Sequence, residues 1–216
     1  MLMAAAPVAE GEAVPGEEWA EAESAADTDP TVNDYPMEPV LGAFATACSG
    51  IEIVSVAQAS VSAAGWERFE PAADSAIGQI VSSGTRLLAE MDPDDQPEVI
   101  DGGIWRQQIA GRELFIVISG VKDSGVGSYG CRLYDLAAPR APTAEQLQDW
   151  AVREPQQVFT GIPGAYKFTW NPGLKPGHME MEASFVQQGT VLPAPLTGIP
   201  LSGIVLTASA LEFLDQ

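Results

Sequence analysis

The hydrophobic pattern changes its period near the middle of the chain, and this change constrains the fold more than any other feature. Up to residue 91, apolar residues recur at helical spacing, and from residue 104 they alternate in the manner of strands. Helices that precede all the strands favour an antiparallel sheet, since parallel strands need crossover helices between them. We therefore expect an α+β domain with N-terminal helices packed on one face of an antiparallel sheet of about five to six strands.

Three helices are predicted before residue 92. The first ends at Gly50, the second ends at Gly65, and the third carries an apolar stripe from Ile77 to Met91 with Asp74 as its candidate N-cap. A short fourth helix is expected after residue 142, where Thr143 and Gln146 have capping-box spacing. The predicted strands are residues 104–109, 113–121, 130–136, 165–170, 178–186 and 201–211.

The N-terminal part of the chain is strongly acidic. Residues 1–35 contain nine acidic residues and no basic residue. Such a segment buries too little apolar surface to offset its chain entropy, so we predict a disordered acidic tail over 1–35 and a single α+β domain over 36–216. The first nine residues fit either the remnant of a signal peptide without its basic start or an ordinary alanine-rich terminus.

Charge and rare residues exclude several classes of function. The formal net charge is −20, which repels phosphate backbones, so we expect no nucleic-acid partner. No apolar run approaches the ~20 residues that cross a bilayer, so we expect no membrane span. One His and two Cys are too few for a zinc site, which needs about four ligands. We expect no metal and no cofactor.

Residues 125–130 match the G-x-G-x-x-G pattern of dinucleotide-binding loops. That chemistry requires a helix directly after the glycines, because the helix N-terminus holds the pyrophosphate. The sequence after Gly130 alternates like a strand instead. We therefore interpret the pattern as a hairpin loop.

The two cysteines are both predicted to be buried, Cys48 on the inward face of the first helix and Cys131 on a core strand. They are either two plain apolar side chains or, in an oxidising compartment, a disulfide that closes a long loop. The residues alone leave both alternatives open.

His178, Glu180 and Glu182 form the constellation most suited to chemistry. They alternate along a predicted strand and therefore share one face, with Met179 and Met181 on the other. We expect these three to face solvent with Lys167 near Glu182, and both methionines to share the core face with an aromatic stripe on the neighbouring strand. That stripe is Tyr166, Phe168 and Trp170.

The chain resembles small exported bacterial proteins of unknown function over roughly residues 38–170. The resemblance implies a Cys48–Cys131 disulfide and a periplasmic or secreted location, and it carries no catalytic residue. The residues that carry it are Phe44 and Cys48, Gly65 and Trp66, Trp105, the run from Gly130 to Leu133, and Trp150.

These features favour an exported, non-enzymatic binding or interaction module over an enzyme. Its partner would be an unidentified protein or a small-molecule ligand. The alternative is an envelope hydrolase or a metal-assisted enzyme that uses His178 with Glu180 or Glu182 as candidate catalytic residues.

Overall fold

A computed structural model of the chain describes residues 35–89, 96–194 and 196–213. The tail over 1–34, Met91 and the acidic run at 92–95 lie outside the described residues. In the described ranges, none of the helices is both long and apolar enough to cross a bilayer. The helices are α1 (Met37–Ala47), α2 (Val54–Ala63), α3 (Ala76–Ala89) and α4 (Ala144–Ala151). The strands are β1 (Glu67–Phe69), β2 (Glu98–Ile109), β3 (Arg112–Asp123), β4 (Val126–Asp135), β5 (Gln157–Ile162), β6 (Ala165–Trp170), β7 (Glu180–Val186) and β8 (Gly203–Phe213).

All described strands belong to one antiparallel sheet in the order β1-β2-β3-β4-β8-β7-β6-β5. The α+β class is confirmed, but the sheet has eight strands rather than five or six. The two strands missing from the prediction, β1 and β5, are the two edges. β1 has only three residues, and β5 is partly exposed along its whole length, so neither carries a strong apolar pattern.

Tight turns join β2, β3 and β4, three long strands that are neighbours in the sheet. Ala110 and Gly111 have φ values of 48° and 80° between β2 and β3, and Ser124 and Gly125 have 48° and 82° between β3 and β4. Two successive positive φ values suit the right-handed twist of a hairpin. The G-x-G-x-x-G segment is thus a hairpin turn followed directly by β4, as predicted, with no helix to receive a pyrophosphate.

The sheet is covered by helices on both faces. Successive residues of β3 belong to two different clusters, because side chains alternate across a strand. Leu114, Ile116 and Ile118 pack in the main core with residues of α1 and α2, whereas Phe115 and Val117 pack with Ile77 of α3 on the opposite face. The N-terminal helices therefore do not all cover one face as expected, and the reason is that β3 is apolar on both sides.

Local sequence signals explain where most of the helices begin or end. Gly65 follows α2 with φ +84°, and Trp66 beyond it is buried. The capping box at Thr143 and Gln146 is formed in α4. The predicted N-cap of α3 is wrong by one position, because the hydroxyl of Ser75, not the side chain of Asp74, accepts a hydrogen bond from the N–H of Gly78 at 3.2 Å.

Two long-range connections fix the main core. A disulfide joins Cys48, just after α1, to Cys131 on β4 with Cα atoms 5.7 Å apart, so the predicted pair is confirmed. The second connection is the Tyr35 latch, which we define as Tyr35, Arg112 and Asp135. The Asp135 carboxylate accepts a hydrogen bond from the Tyr35 hydroxyl at 2.8 Å and two from Arg112 at 2.8 and 3.0 Å. Tyr35 is buried although the sequence placed it in the tail.

Candidate ligand-binding pocket

A pocket of about 210 Å³ opens on the face of the sheet that α1 covers. It lies between the ends of α1 and α4, the β6–β7 loop and the start of β7. The side chains around it are mostly apolar. The lining residues are Phe44, Ala45, Cys48, Trp150, Ala151, Val152, Leu174, Lys175, His178 and Met181.

The two helix ends form the apolar wall of the pocket. Phe44 of α1 and Trp150 of α4 contact each other with ring centroids 6.0 Å apart and planes tilted by 50°. The capping box at the other end of α4 fixes the start of this short helix and hence the position of Trp150. Val152 ends α4 in a left-handed conformation with φ 58° and is almost fully exposed, so the helix stops at the pocket rim.

The β6–β7 loop forms the opposite wall, and hydrogen bonds to its backbone hold it in place. The Arg153 guanidinium donates to the carbonyls of Pro172 and Gly173, and the Gly173 N–H donates to the His178 carbonyl at 3.1 Å. A Cβ atom on Gly173 would lie 2.5 Å from that of His178, so only glycine fits there. The Trp170 indole donates to the Arg153 carbonyl at 3.2 Å, which links the segment after α4 to the end of β6.

His178 is the polar group of this pocket that the protein itself leaves unsatisfied. His178 is only 7% exposed, and its ring lies near the backbone of Ser49. Among the described residues, Nε2 has no hydrogen-bond partner. An unsatisfied buried polar atom costs about 1–3 kcal/mol, so its persistence calls for a reason.

The protonation state of His178 follows from its surroundings. Burial lowers the pKa of the imidazole below its ordinary range, and the hydrogen bond to Ser49 and the charge of Glu52 oppose this effect only in part. Lys175 lowers the pKa further. The ring is therefore neutral at pH 7.

The prediction that His178 faces solvent beside Glu180 and Glu182 is wrong. β7 begins only at Glu180, and His178 belongs to the preceding turn. In this turn the backbone N–H of His178 donates to the Lys175 carbonyl at 3.1 Å. Alternation holds only inside a strand, so the turn places His178 on the pocket side. For the same reason Met179, expected in the core, is exposed.

The remaining part of the strand prediction is confirmed. Met181 pairs with Trp170, and both are buried in the main core. Glu180 and Glu182 alternate with buried residues and therefore point away from the pocket, and Glu182 forms an ion pair with Lys167 as expected. No cluster of three or more metal-ligating side chains occurs within the described ranges. The three candidate residues thus do not form one site.

Comparisons with known proteins give no information on the function of this pocket. No protein-family model, curated protein or solved structure matches the chain. The resemblance to exported bacterial proteins remains a prediction.

Proposed function

We propose that this protein is an exported, non-enzymatic domain that binds a small, largely apolar molecule in the pocket at His178. The observation that carries the proposal is a buried imidazole whose Nε2 has no partner in the described structure, at the wall of an otherwise apolar cavity. Pockets of this kind, apolar with a few polar groups that orient the ligand, are typical of small-molecule sites.

The size of the pocket limits the ligand. An apolar cavity of about 150 Å³ holds benzene, and drug-sized ligands need about 300 Å³ or more. The cavity of about 210 Å³ lies between these values. A molecule of roughly ten non-hydrogen atoms therefore fits it.

Binding is better supported than hydrolysis because the described lining of the pocket offers no nucleophile beside His178. A nucleophilic mechanism needs a hydroxyl or thiol beside the base and a group that orients the base. The described lining of the pocket contains no hydroxyl and no carboxylate, and Cys48 is held in the disulfide.

A periplasmic or secreted location is part of the same proposal. Disulfides persist in oxidising compartments and are rare in the cytosol of most organisms. The Cys48–Cys131 bond supports export on this ground, together with the resemblance to exported proteins.

The pocket is tested with toluene as an apolar probe. We expect toluene to shift the NMR signals of the His178 ring and the Met181 methyl group in a saturable manner. Ala45→Phe fills the cavity from α1 and should abolish the shifts, whereas Ala63→Phe, on the exposed side of α2, should preserve them. Absence of saturable shifts in the wild-type protein, or equal binding by both variants, would contradict the proposal.

A further inference from the structure

We propose that the ligand is an elongated, largely apolar molecule whose inner end fills the cavity and whose outer alkyl part crosses the rim over the side chain of Val152. This inference rests on the proposed function and names the class of ligand. Val152 is then a specificity-determining residue, because it selects ligands by their length. Two features of Val152 support this role, its backbone conformation and the exposure of its side chain.

Val152 has a backbone conformation that valine rarely adopts. It ends α4 with φ 58° and ψ 17°, in the left-handed region. This region costs free energy for a residue with a Cβ atom, and a β-branched residue there is an outlier. Helices that end in this way usually have glycine at the left-handed position. Valine at position 152 is therefore unfavourable for the stability of the fold.

The surrounding hydrogen bonds explain the conformation but not the residue type. The Val152 N–H donates to the Gln148 carbonyl at 2.8 Å. The next residue, Arg153, is held by the carbonyls of Pro172 and Gly173, so the chain must turn between α4 and Arg153. Glycine would make the same turn at lower cost. Residues retained in a strained conformation cluster at functional sites, and the isopropyl group of Val152 therefore calls for a role.

The packing of the fold does not use this side chain. Val152 is 88% exposed, the highest value among the large apolar residues of the described ranges. It also lines the pocket, where it follows Trp150 and Ala151 at the end of α4. An apolar group that is solvated in the free protein gains from burial only when a ligand covers it. The role left for Val152 is a contact with the part of the ligand that lies outside the cavity.

The rim also indicates the chemistry of this outer part. Val152 offers apolar surface and no polar side-chain atom, so an alkyl chain is the matching group. The cavity of about 210 Å³ takes up only a small ring or a short chain, and a longer molecule must continue over the rim. Beyond Val152 the ligand reaches solvent, where a polar end group keeps its hydration.

The test compares benzyl alcohol with phenylhexanol, which share a phenyl ring and a hydroxyl and differ only in the length of the alkyl chain between them. Val152→Gly should weaken the binding of phenylhexanol by about fivefold, because part of the buried apolar area is lost. The Kd of benzyl alcohol, which fits inside the cavity, should change by less than about twofold. The same variant should raise the thermal midpoint by about 2–4 °C, since glycine removes the strain. Titrations followed at the Met181 methyl signal give both Kd values.

Ala110→Gly is the matched control. Ala110 lies in the β2–β3 turn, is exposed and has φ 48°, so it shares the unfavourable backbone region but does not line the pocket. Its replacement should also raise the thermal midpoint and should leave the Kd values of both probes unchanged. A rise in stability alone therefore does not explain a loss of binding in Val152→Gly.

The outcomes separate the two proposals. An unchanged Kd of phenylhexanol in Val152→Gly, an equal loss for both probes, or a lower thermal midpoint overturns the role of Val152. Binding of benzyl alcohol to the wild-type protein still supports the pocket in each of these cases. If neither probe binds the wild-type protein, the proposed function itself fails.

Discussion

Replacing Cys48 and Cys131 together by alanine is expected to lower the free energy of unfolding by about 4 kcal/mol. The disulfide joins residues 83 positions apart, and such a long closed loop removes much of the entropy of the unfolded chain. Domains are stable by only about 5–15 kcal/mol, so the loss is large. Urea unfolding followed by tryptophan fluorescence measures it.

The reduced wild-type protein is the matched control, because it keeps both cysteine side chains and loses only the bond. Reduction should account for most of the loss in the free energy of unfolding. Any further loss in the double variant comes from the core volume that the two alanines leave empty. Equal free energies of unfolding for the oxidised and reduced wild-type proteins would show that the bond does not constrain the fold.

Replacing Arg112 by methionine in the Tyr35 latch is expected to lower the free energy of unfolding by about 3–5 kcal/mol. Asp135 is 1% exposed, and Arg112 is its only ion-pair partner in the described structure. The variant keeps the aliphatic stem and leaves a buried carboxylate without its counter-charge. The Tyr35 hydroxyl and the Ala137 N–H remain as neutral donors.

Arg106→Met provides the control for the latch. Arg106 forms an ion pair with Glu113 at 3.7 Å in which both side chains are more than 40% exposed. Exposed pairs contribute about 0–1 kcal/mol, so this variant should lose little stability. Similar losses in the two arginine variants would contradict the role of the buried carboxylate.

Deleting residues 1–34 should leave the thermal midpoint nearly unchanged, because Tyr35 is kept.

The centre of the fold could be predicted from the sequence because its signals are local. The β2–β3 hairpin follows from alternation on either side of Ala110-Gly111, and the start of α4 follows from its capping box. The edge strands could not be predicted, because β1 and β5 are short or half exposed. The position of α3 could not be predicted either, because β3 is apolar on both faces and the sequence does not indicate which face α3 covers.

The pocket could not be predicted because its walls are distant in sequence. Phe44, Trp150 and Leu174 come together only through the tertiary packing of α1, α4 and the β6–β7 loop. The sequence did offer one signal for His178, since Pro176-Gly177 directly before it is typical of a turn. Gly177 has φ +85° in the structure, and this turn is what removes His178 from the face of β7.

The ¹⁵N spectrum of His178 as a function of pH tests the account most directly, because the chain has no other histidine. A buried neutral imidazole is expected to titrate below its ordinary pKa of about 6.5. Because the folded pKa lies below the unfolded one, the stabilising contribution is complete above pH ~6.5 and is lost as the pH falls through the folded pKa. A pKa at or above 6.5 would contradict a buried, neutral imidazole at the wall of the pocket.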